Sequence, residues 1–135
     1  MKEETSIQTD TMNPAILALA QFLNCTPDDV TEERYDSYGL TVFSAEGGEY
    51  AVGTDEEADA AWDQSMDSYI EECVTPEIDR LESNLGSLSA YLKFDEEMWK
   101  HDARMDGRGH SLSSYDGEEN EETVDGTTFY IFRIN

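Results

Sequence analysis

The hydrophobic positions change their period along the chain, and these changes predict the order of helices and strands. Residues 14–23 carry apolar side chains at helical spacing behind Asn13, and Pro14 occupies a position typical of a first helical turn. Residues 26–29, TPDD, predict a second and very short helical turn.

A period of two follows and indicates strands. Leu40 and Val42 alternate with Phe43, so residues 38–44 predict one strand, and residues 49–53 predict its partner across a loop of about four residues. Near the end of the chain, TTFYIFRIN is β-branched and aromatic, which is typical of a strand. The acid-rich segment from Gly117 to Gly126 is interpreted as the solvated loop of a second hairpin.

The helical period returns behind Thr54, where Glu57 lies three residues on and completes a capping box. This helix is amphipathic and should end near Pro76. The residues predicted to be buried against the sheet are Trp62, Met66, Tyr69 and Ile70. Cys25 and Cys73, set in apolar helical patterns, are interpreted as free cysteines that act as small buried hydrophobes.

Two more helices complete the prediction, one over residues 76–85 and one over residues 95–106 that stops at Gly107. The order is α-ββ-α-(α)-α-ββ, an α+β fold with helices packed on a small antiparallel sheet built from two hairpins. Residues 1–12 are polar and predict a flexible N-terminal segment, and residues 13–135 predict a single acidic domain.

Charge narrows the classes of partner. The chain has 32 acidic and 8 basic residues and a net charge of −24. Such a charge repels nucleic acid and anionic membrane, so neither is a predicted partner, and a cationic protein is favoured. With no leader-like apolar segment and no membrane span in the sequence, the cytoplasm is the expected compartment.

Signals for catalysis and for metal binding are weak. His101 and His110 are the two histidines, and neither pairs with cysteine at zinc spacing. The acidic segment DGEENEETVDGT lacks the register of a calcium loop. No nucleophile, phosphate-loop or dinucleotide motif occurs, so we expect no enzyme activity, no cofactor and no metal site.

The strongest pattern is a stripe of carboxylates on the helix behind Thr54. Asp55, Asp59, Asp63, Asp67 and Glu71 follow one another at four-residue spacing, and residues 35–79 contain no lysine or arginine. Like charges at this spacing destabilise a helix by about 0.2–0.5 kcal/mol per pair. Changing Asp59, Asp63 and Asp67 to Asn is therefore predicted to raise the melting temperature slightly.

Three interpretations of the stripe are open. It is a solvated helix face, an adaptation to a high-salt cytosol, or a row of phosphate-like charges presented to a protein that grips DNA. The four-residue spacing separates successive carboxylates by about 6 Å along the helix axis. On the third interpretation, only a cationic partner satisfies the stripe.

A second segment, residues 101–119, collects Arg104, Arg108, His110 and Tyr115. It is either a small polar site for a small molecule or a substrate, or a helix C-terminus whose cations complement the helix dipole. Arg108 lies between two glycines, and in so acidic a chain we predict that the protein's own carboxylates hold it. The nearest in sequence are Asp102, Asp106 and Asp116.

Several segments also resemble proteins of a known kind. FLNCTPDDV, EYAVGTDEEADAAWD, KFDEEMWKHDARMDGRGHSLSSYDG and FYIFRIN are similar to segments of small acidic proteins of bacteriophages and other mobile elements, mostly uncharacterised. Phage antirestriction proteins and several anti-CRISPR proteins use acidic surfaces to occupy DNA-binding clefts. The resemblance implies an anti-defence role by analogy.

The function predicted is that of an anti-defence inhibitor whose acidic surface blocks a basic nucleic-acid-handling host protein, such as a CRISPR effector or a restriction enzyme, in the host cytoplasm. The alternative is a small-molecule-binding or enzymatic domain centred on residues 104–115. The sequence leaves monomer and homodimer open. The predicted partner-binding residues are Asp55, Glu56, Asp59, Asp63, Asp67, Glu71, Asp116, Glu118, Glu119, Glu121 and Glu122.

Overall fold

The computed structural model describes residues 13–135. The predicted flexible segment, residues 1–12, lies outside the described residues. The helices are α1 (Pro14–Leu23), α2 (Asp55–Tyr69), α3 (Thr75–Leu85), α4 (Glu96–Met105) and the short α5 (Arg108–Leu112). The strands are β1 (Thr31–Ser37), β2 (Leu40–Ala45), β3 (Gly48–Thr54), β4 (Asn120–Val124) and β5 (Thr127–Arg133). Short 3₁₀ turns cover Pro27–Asp29 and Gly86–Tyr91, and a π-helical turn, Ile70–Val74, joins α2 to α3.

The strands form one antiparallel sheet in the order β1-β2-β3-β5-β4. The α+β class is therefore confirmed, but the prediction of a sheet built from two hairpins matches only in part. The first three strands form a meander, because TEERYDS pairs with β2 as an edge strand. The acidic segment before Gly126 is also part of the sheet, since residues 120–124 form β4. The observed order is α-βββ-α-α-α-α-ββ.

Three tight turns explain how such short, charged strands pair. Tyr38-Gly39, Glu46-Gly47 and Asp125-Gly126 each have two residues with positive φ, the geometry of a two-residue type I′ hairpin turn. The loop between β2 and β3 is thus two residues long, with Ala45 paired to Gly48, and shorter than predicted.

The sheet carries a hydrophobic core on each face. On one face, Ala18 and Leu19 of α1 form a core with Phe43, Tyr50 and Ile131. On the other, Ala58 and Ala61 of α2 and Leu112 of α5 pack with Leu40, Val42 and Phe132. The predicted alternation along β2 is confirmed, and the sheet is a middle layer with α1 on one side and α2 on the other.

Burial along α2 follows the predicted face only in part. Met66 and Ile70 are buried and Trp62 is half-buried, but Tyr69 is half exposed and stacks on Trp99, with ring centroids 5.4 Å apart. Cys73 is also exposed, whereas Cys25 is half-buried, and burial raises the pKa of its thiol. Tyr69 and Cys73 are exposed because the helical stretch does not end near Pro76. It continues through the π-helical turn into α3 and leads away from the sheet.

The capping box of α2 is present as predicted. The Thr54 N–H donates to the Glu57 carboxylate at 2.8 Å, and the Glu57 N–H donates to the Thr54 hydroxyl at 3.3 Å. Thr54→Ala should lower the free energy of unfolding by about 1 kcal/mol, because one helix-end donor loses its acceptor. Urea denaturation measures this, with Thr75→Ala, an exposed residue within the continuous helical stretch, as control. Equal stability of the Thr54 and Thr75 variants would contradict the capping role.

No helix in residues 13–135 is both long and apolar enough to cross a membrane.

Candidate acidic interaction surface

The carboxylate stripe on α2 lies beside the cations of α4 and α5. Asp67 bonds Lys100 at 2.6 Å, and Asp63 bonds Arg104 at 2.8 Å. Arg108 bonds both Asp55 and Asp59, at 2.8 and 2.9 Å. The ion pairs thus connect two segments that are between 33 and 53 residues apart in sequence.

The spacing of the cations matches that of the acids. Lys100, Arg104 and Arg108 are four residues apart, like the carboxylates, and the two series run in opposite directions. We call these seven residues the charge ladder: Asp55, Asp59, Asp63 and Asp67 on one side, and Lys100, Arg104 and Arg108 on the other. The ladder fixes α4 and α5 alongside α2.

Arg108 is the most enclosed member of the ladder, with a side chain only 10% exposed. Its guanidinium also donates to Glu119 at 2.7 Å and to the backbone carbonyl of Asp55 at 3.2 Å, and it lies 4.6 Å from the centre of the Tyr130 ring. Burial lowers the pKa of Arg108, but the bonds to Glu119, Asp55 and Asp59 outweigh burial and raise it above its ordinary value. The cation is permanent.

Lys100 is held in a similar way. Its side chain is 21% exposed, and its ammonium lies 3.4 Å from Glu96 as well as 2.6 Å from Asp67. The hydrogen bond to Asp67 raises the pKa of Lys100, and partial burial offsets this only in part.

The carboxylates of the ladder are exposed to solvent although they are ion-paired. The side chains of Asp55, Asp59, Asp63 and Asp67 are 62–65% exposed, although each is ion-paired. We call these four residues the outer row. Together with Glu96 and Glu119, the paired acids number six against three cations, which leaves an excess of three negative charges. The surface is thus an exposed anionic row that is paired with two largely covered cations, Lys100 and Arg108, and with the more exposed Arg104.

A close backbone contact sets the position of Arg108. Gly109 is buried, and a Cβ added there would lie 2.8 Å from the backbone of residues 117–119. The buried Ser113 hydroxyl donates to the Glu118 carbonyl, and the Gly117 N–H donates to the Ser113 carbonyl at 2.8 Å. These contacts hold the segment that carries Glu119 against α5.

The other predicted partner-binding acids are dispersed. Glu56 and Glu71 are exposed, and Glu71 makes no ion pair within the described part of the chain. Asp116 accepts the Glu118 N–H at 3.0 Å, and Glu122 accepts a hydrogen bond from Gln21. Glu118 and Glu121 are exposed. Among the acids of segment 116–122, Glu119 is the one that pairs with a cation of the charge ladder, Arg108.

Two expectations from the sequence are corrected by this geometry. The prediction that Arg108 is held by the protein's own carboxylates is confirmed, but its partners are Asp55, Asp59 and Glu119 instead of Asp102, Asp106 or Asp116. The expectation that only a partner's cations satisfy the stripe is wrong for the outer row. Binding of a partner by these residues stays a prediction.

The structure also reverses the expected effect of neutralising the stripe. Each of the three ion pairs is 2.6–2.9 Å long, whereas adjacent carboxylates are separated by about 6 Å along the helix. Coulomb energy falls with distance, so attraction outweighs repulsion. Changing Asp59, Asp63 and Asp67 to Asn should lower the unfolding free energy by about 1–2 kcal/mol, measured by urea denaturation.

A matched control has the same change of net charge on the β1 side of the molecule: Asp28→Asn, Glu32→Gln and Asp36→Asn, all exposed residues. We expect this control to be at least as stable as the wild type. A higher stability for the Asp59, Asp63 and Asp67 variant than for the control would show that repulsion dominates the ladder.

The side chains of the alternative site, residues 104–115, do not converge on one pocket. Arg104 and Arg108 bond to the outer row, and the Tyr115 ring lies 3.9 Å from the Arg133 guanidinium. His110 instead lines a cavity of about 370 Å³ with Tyr38, Tyr69, Trp99 and Ser111, among others. Within residues 13–135, no cluster of His, Cys, Asp and Glu is arranged to hold a metal ion.

Comparison of the chain with known protein families, with curated proteins and with solved structures finds no match.

Proposed function

We propose that this protein is an anti-defence protein of a bacteriophage or mobile element that acts in the host cytoplasm. It binds a basic nucleic-acid-handling protein, such as a CRISPR effector or a restriction enzyme, and blocks its nucleic-acid site. The observation that supports the proposal is the outer row, whose four carboxylates are 62–65% exposed although each is paired with a cation of the charge ladder.

The ion pairs of the outer row should strengthen the binding of a partner, because they order the carboxylates in advance. A flexible carboxylate loses side-chain freedom when it binds, and that loss weakens association. Each outer-row carboxylate already bonds a cation at 2.6–2.9 Å, so part of the ordering is complete before a partner arrives. The exposed oxygens remain able to accept bonds from a partner's lysines and arginines.

The net charge of the molecule supports the same role. At −24, the chain attracts a basic surface over long range, which speeds encounter at low salt. The successive carboxylates, about 6 Å apart along α2, give a rigid series of anions where a nucleic-acid-binding cleft expects phosphates. The phage or mobile-element setting is proposed from the segments that resemble small phage proteins.

Inhibition of DNA cleavage by a purified CRISPR effector and by a restriction enzyme tests the proposal. We expect one of these enzymes to be inhibited, with inhibition that weakens as salt rises. Asp59→Asn with Asp63→Asn and Asp67→Asn should weaken inhibition by about tenfold or more, since several charged contacts are lost. The matched control, Asp28→Asn with Glu32→Gln and Asp36→Asn, should inhibit nearly as well as the wild type.

Equal inhibition by these two variants would show that the outer row is not part of the interface. Inhibition of neither enzyme at any salt concentration would contradict the proposed function.

The cavity beside the Tyr69–Trp99 stack supports a second candidate function, the binding of a small molecule. Its volume of about 370 Å³ lies within the usual range of ligand sites, and Tyr38, Trp99 and His110 provide aromatic walls with polar edges. Here the protein would bind a small planar molecule. A thermal-shift screen with nucleotides tests this: a ligand that stabilises the wild type but not Trp99→Ala favours the second function.

A further inference from the structure

The stretch between residues 71 and 108 is helical over most of its length but contains no buried residue. It contains α3, the 3₁₀ turn Gly86–Tyr91 and α4, and we call residues 75–105 the helical arm. α4 is held to α2 by the ladder contacts of Lys100 and Arg104 and by the stacking of Trp99 on Tyr69. α3 adjoins its sequence neighbours, the π-helical turn and the 3₁₀ turn.

The helical arm nevertheless has an apolar face. Ile78, Leu81 and Leu85 recur at three- and four-residue spacing, which places them on one face of α3. Leu81 is 44% exposed, Leu85 is 39% exposed, and Leu88 in the following turn is 60% exposed. We call Leu81, Leu85 and Leu88 the arm face.

Packing of the arm face against another apolar surface would stabilise α3. α3 continues the helical stretch that begins with α2, but none of its own residues is buried. Helices in proteins are stabilised mostly by packing of an apolar face. Exposed leucines close together in sequence on a highly charged protein are typical of an interaction surface.

The acidic residues around the arm face favour a basic partner over a second copy of this chain. Glu77, Asp79 and Glu82 lie on the same helix as the arm face, and Arg80 is already bonded to Glu77. A second copy of this chain would bring another charge of −24 against these acids. A basic amphipathic helix would cover the leucines with its apolar side and meet the acids with its lysines or arginines.

We infer that the arm face, Leu81, Leu85 and Leu88, docks a basic amphipathic helix of the partner protein. This inference rests on the proposed function, because it assigns an apolar anchor to the same cationic partner. The outer row would supply salt-dependent attraction, and the arm face would supply an apolar contact that salt does not weaken.

Binding of two defined peptides tests the inference. One is a synthetic helix of leucine and lysine with its leucines at three- and four-residue spacing, and the other has the same composition with its leucines dispersed around the helix. Fluorescence anisotropy of each labelled peptide gives its affinity at low and high salt. We expect the wild type to prefer the patterned peptide by about tenfold, which corresponds to about 1.4 kcal/mol, and to keep this preference at high salt.

Leu81→Ser with Leu85→Ser and Leu88→Ser should abolish the preference while leaving salt-dependent binding of both peptides. The substituted side chains are exposed, so the variant should keep the circular dichroism of the folded domain. Tyr35→Ser, which removes a 47% exposed aromatic residue from β1, should keep the preference of the wild type.

The other outcomes separate the two proposals. If both peptides bind the wild type equally and only at low salt, the arm-face inference fails and the proposed function stands. If neither peptide binds at low salt, the proposed function fails as well. A dimer in sedimentation equilibrium that the triple serine variant converts to a monomer would make a second copy the occupant and overturn the inference.

Discussion

Arg108→Ala is expected to lower the free energy of unfolding by about 2–4 kcal/mol. The substitution removes bonds to three carboxylates and one backbone carbonyl, and it also removes the contact with the Tyr130 ring. Breaking a fully buried ion pair would have a larger effect, but Asp55 and Asp59 are 65% and 62% exposed and can be rehydrated. Urea denaturation followed by circular dichroism measures the loss.

Two variants control this experiment. Arg80→Ala removes a 66% exposed arginine that is paired with Glu77, and it should change stability by less than about 1 kcal/mol. Arg108→Lys keeps the charge but loses the planar fork that reaches several carboxylates, so its stability should be intermediate. If Arg108→Ala is as stable as Arg80→Ala, the ladder does not hold α5 to α2.

Gly109→Ala should have an effect of similar size, about 2–3 kcal/mol, for a steric reason. The added methyl group would meet the backbone of residues 117–119 at 2.8 Å, and backbone cannot move aside as a flexible side chain can. The displaced segment includes Glu119, one of the partners of Arg108. The two substitutions should therefore be less than additive in a double-mutant cycle, since both weaken the same contact.

His110→Ala serves as the control for Gly109, because His110 is an exposed residue of the same short helix. Its stability should stay within about 0.5 kcal/mol of the wild type. Full additivity of Arg108→Ala and Gly109→Ala would show that Gly109 acts independently of the Arg108 contacts.

The parts of the fold that depend on local chemistry could be predicted from the sequence. Asn13 with Pro14, and Thr54 with Glu57, specify helix starts through contacts within three residues, and both starts are present in the structure. The alternation of Leu40, Val42 and Phe43 specifies which side of β2 faces which core.

The edge strands could not be predicted in the same way. β1 is mostly exposed and β4 contains no buried residue. Both sequences are largely polar, so they carry little of the hydrophobic alternation that marks a half-buried strand. Their pairing depends on backbone hydrogen bonds to β2 and β5 and on two-residue turns. Of those turns, Asp125-Gly126 is a favoured hairpin pair and was a usable signal, whereas Tyr38-Gly39 is a weaker one.

Only one side of the charge ladder could be predicted from local sequence. Periodicity identifies the stripe on α2, but it does not show that α4 crosses beside it. One signal was nevertheless available, because Lys100, Arg104 and Arg108 repeat the four-residue spacing of the acids. In a chain with eight basic residues, three at the spacing of a carboxylate stripe predict a pairing of the two helices.

The affinity of a basic target enzyme for labelled DNA, measured at increasing concentrations of this protein, tests most directly whether the outer row takes the place of phosphates. If the outer row occupies the DNA site, the apparent Kd for DNA should rise linearly with protein concentration without a plateau, and changing Asp59, Asp63 and Asp67 to Asn should remove most of this rise. An apparent Kd that stays constant while the enzyme is inhibited would place the contact away from the DNA site and would rule out phosphate mimicry by the outer row.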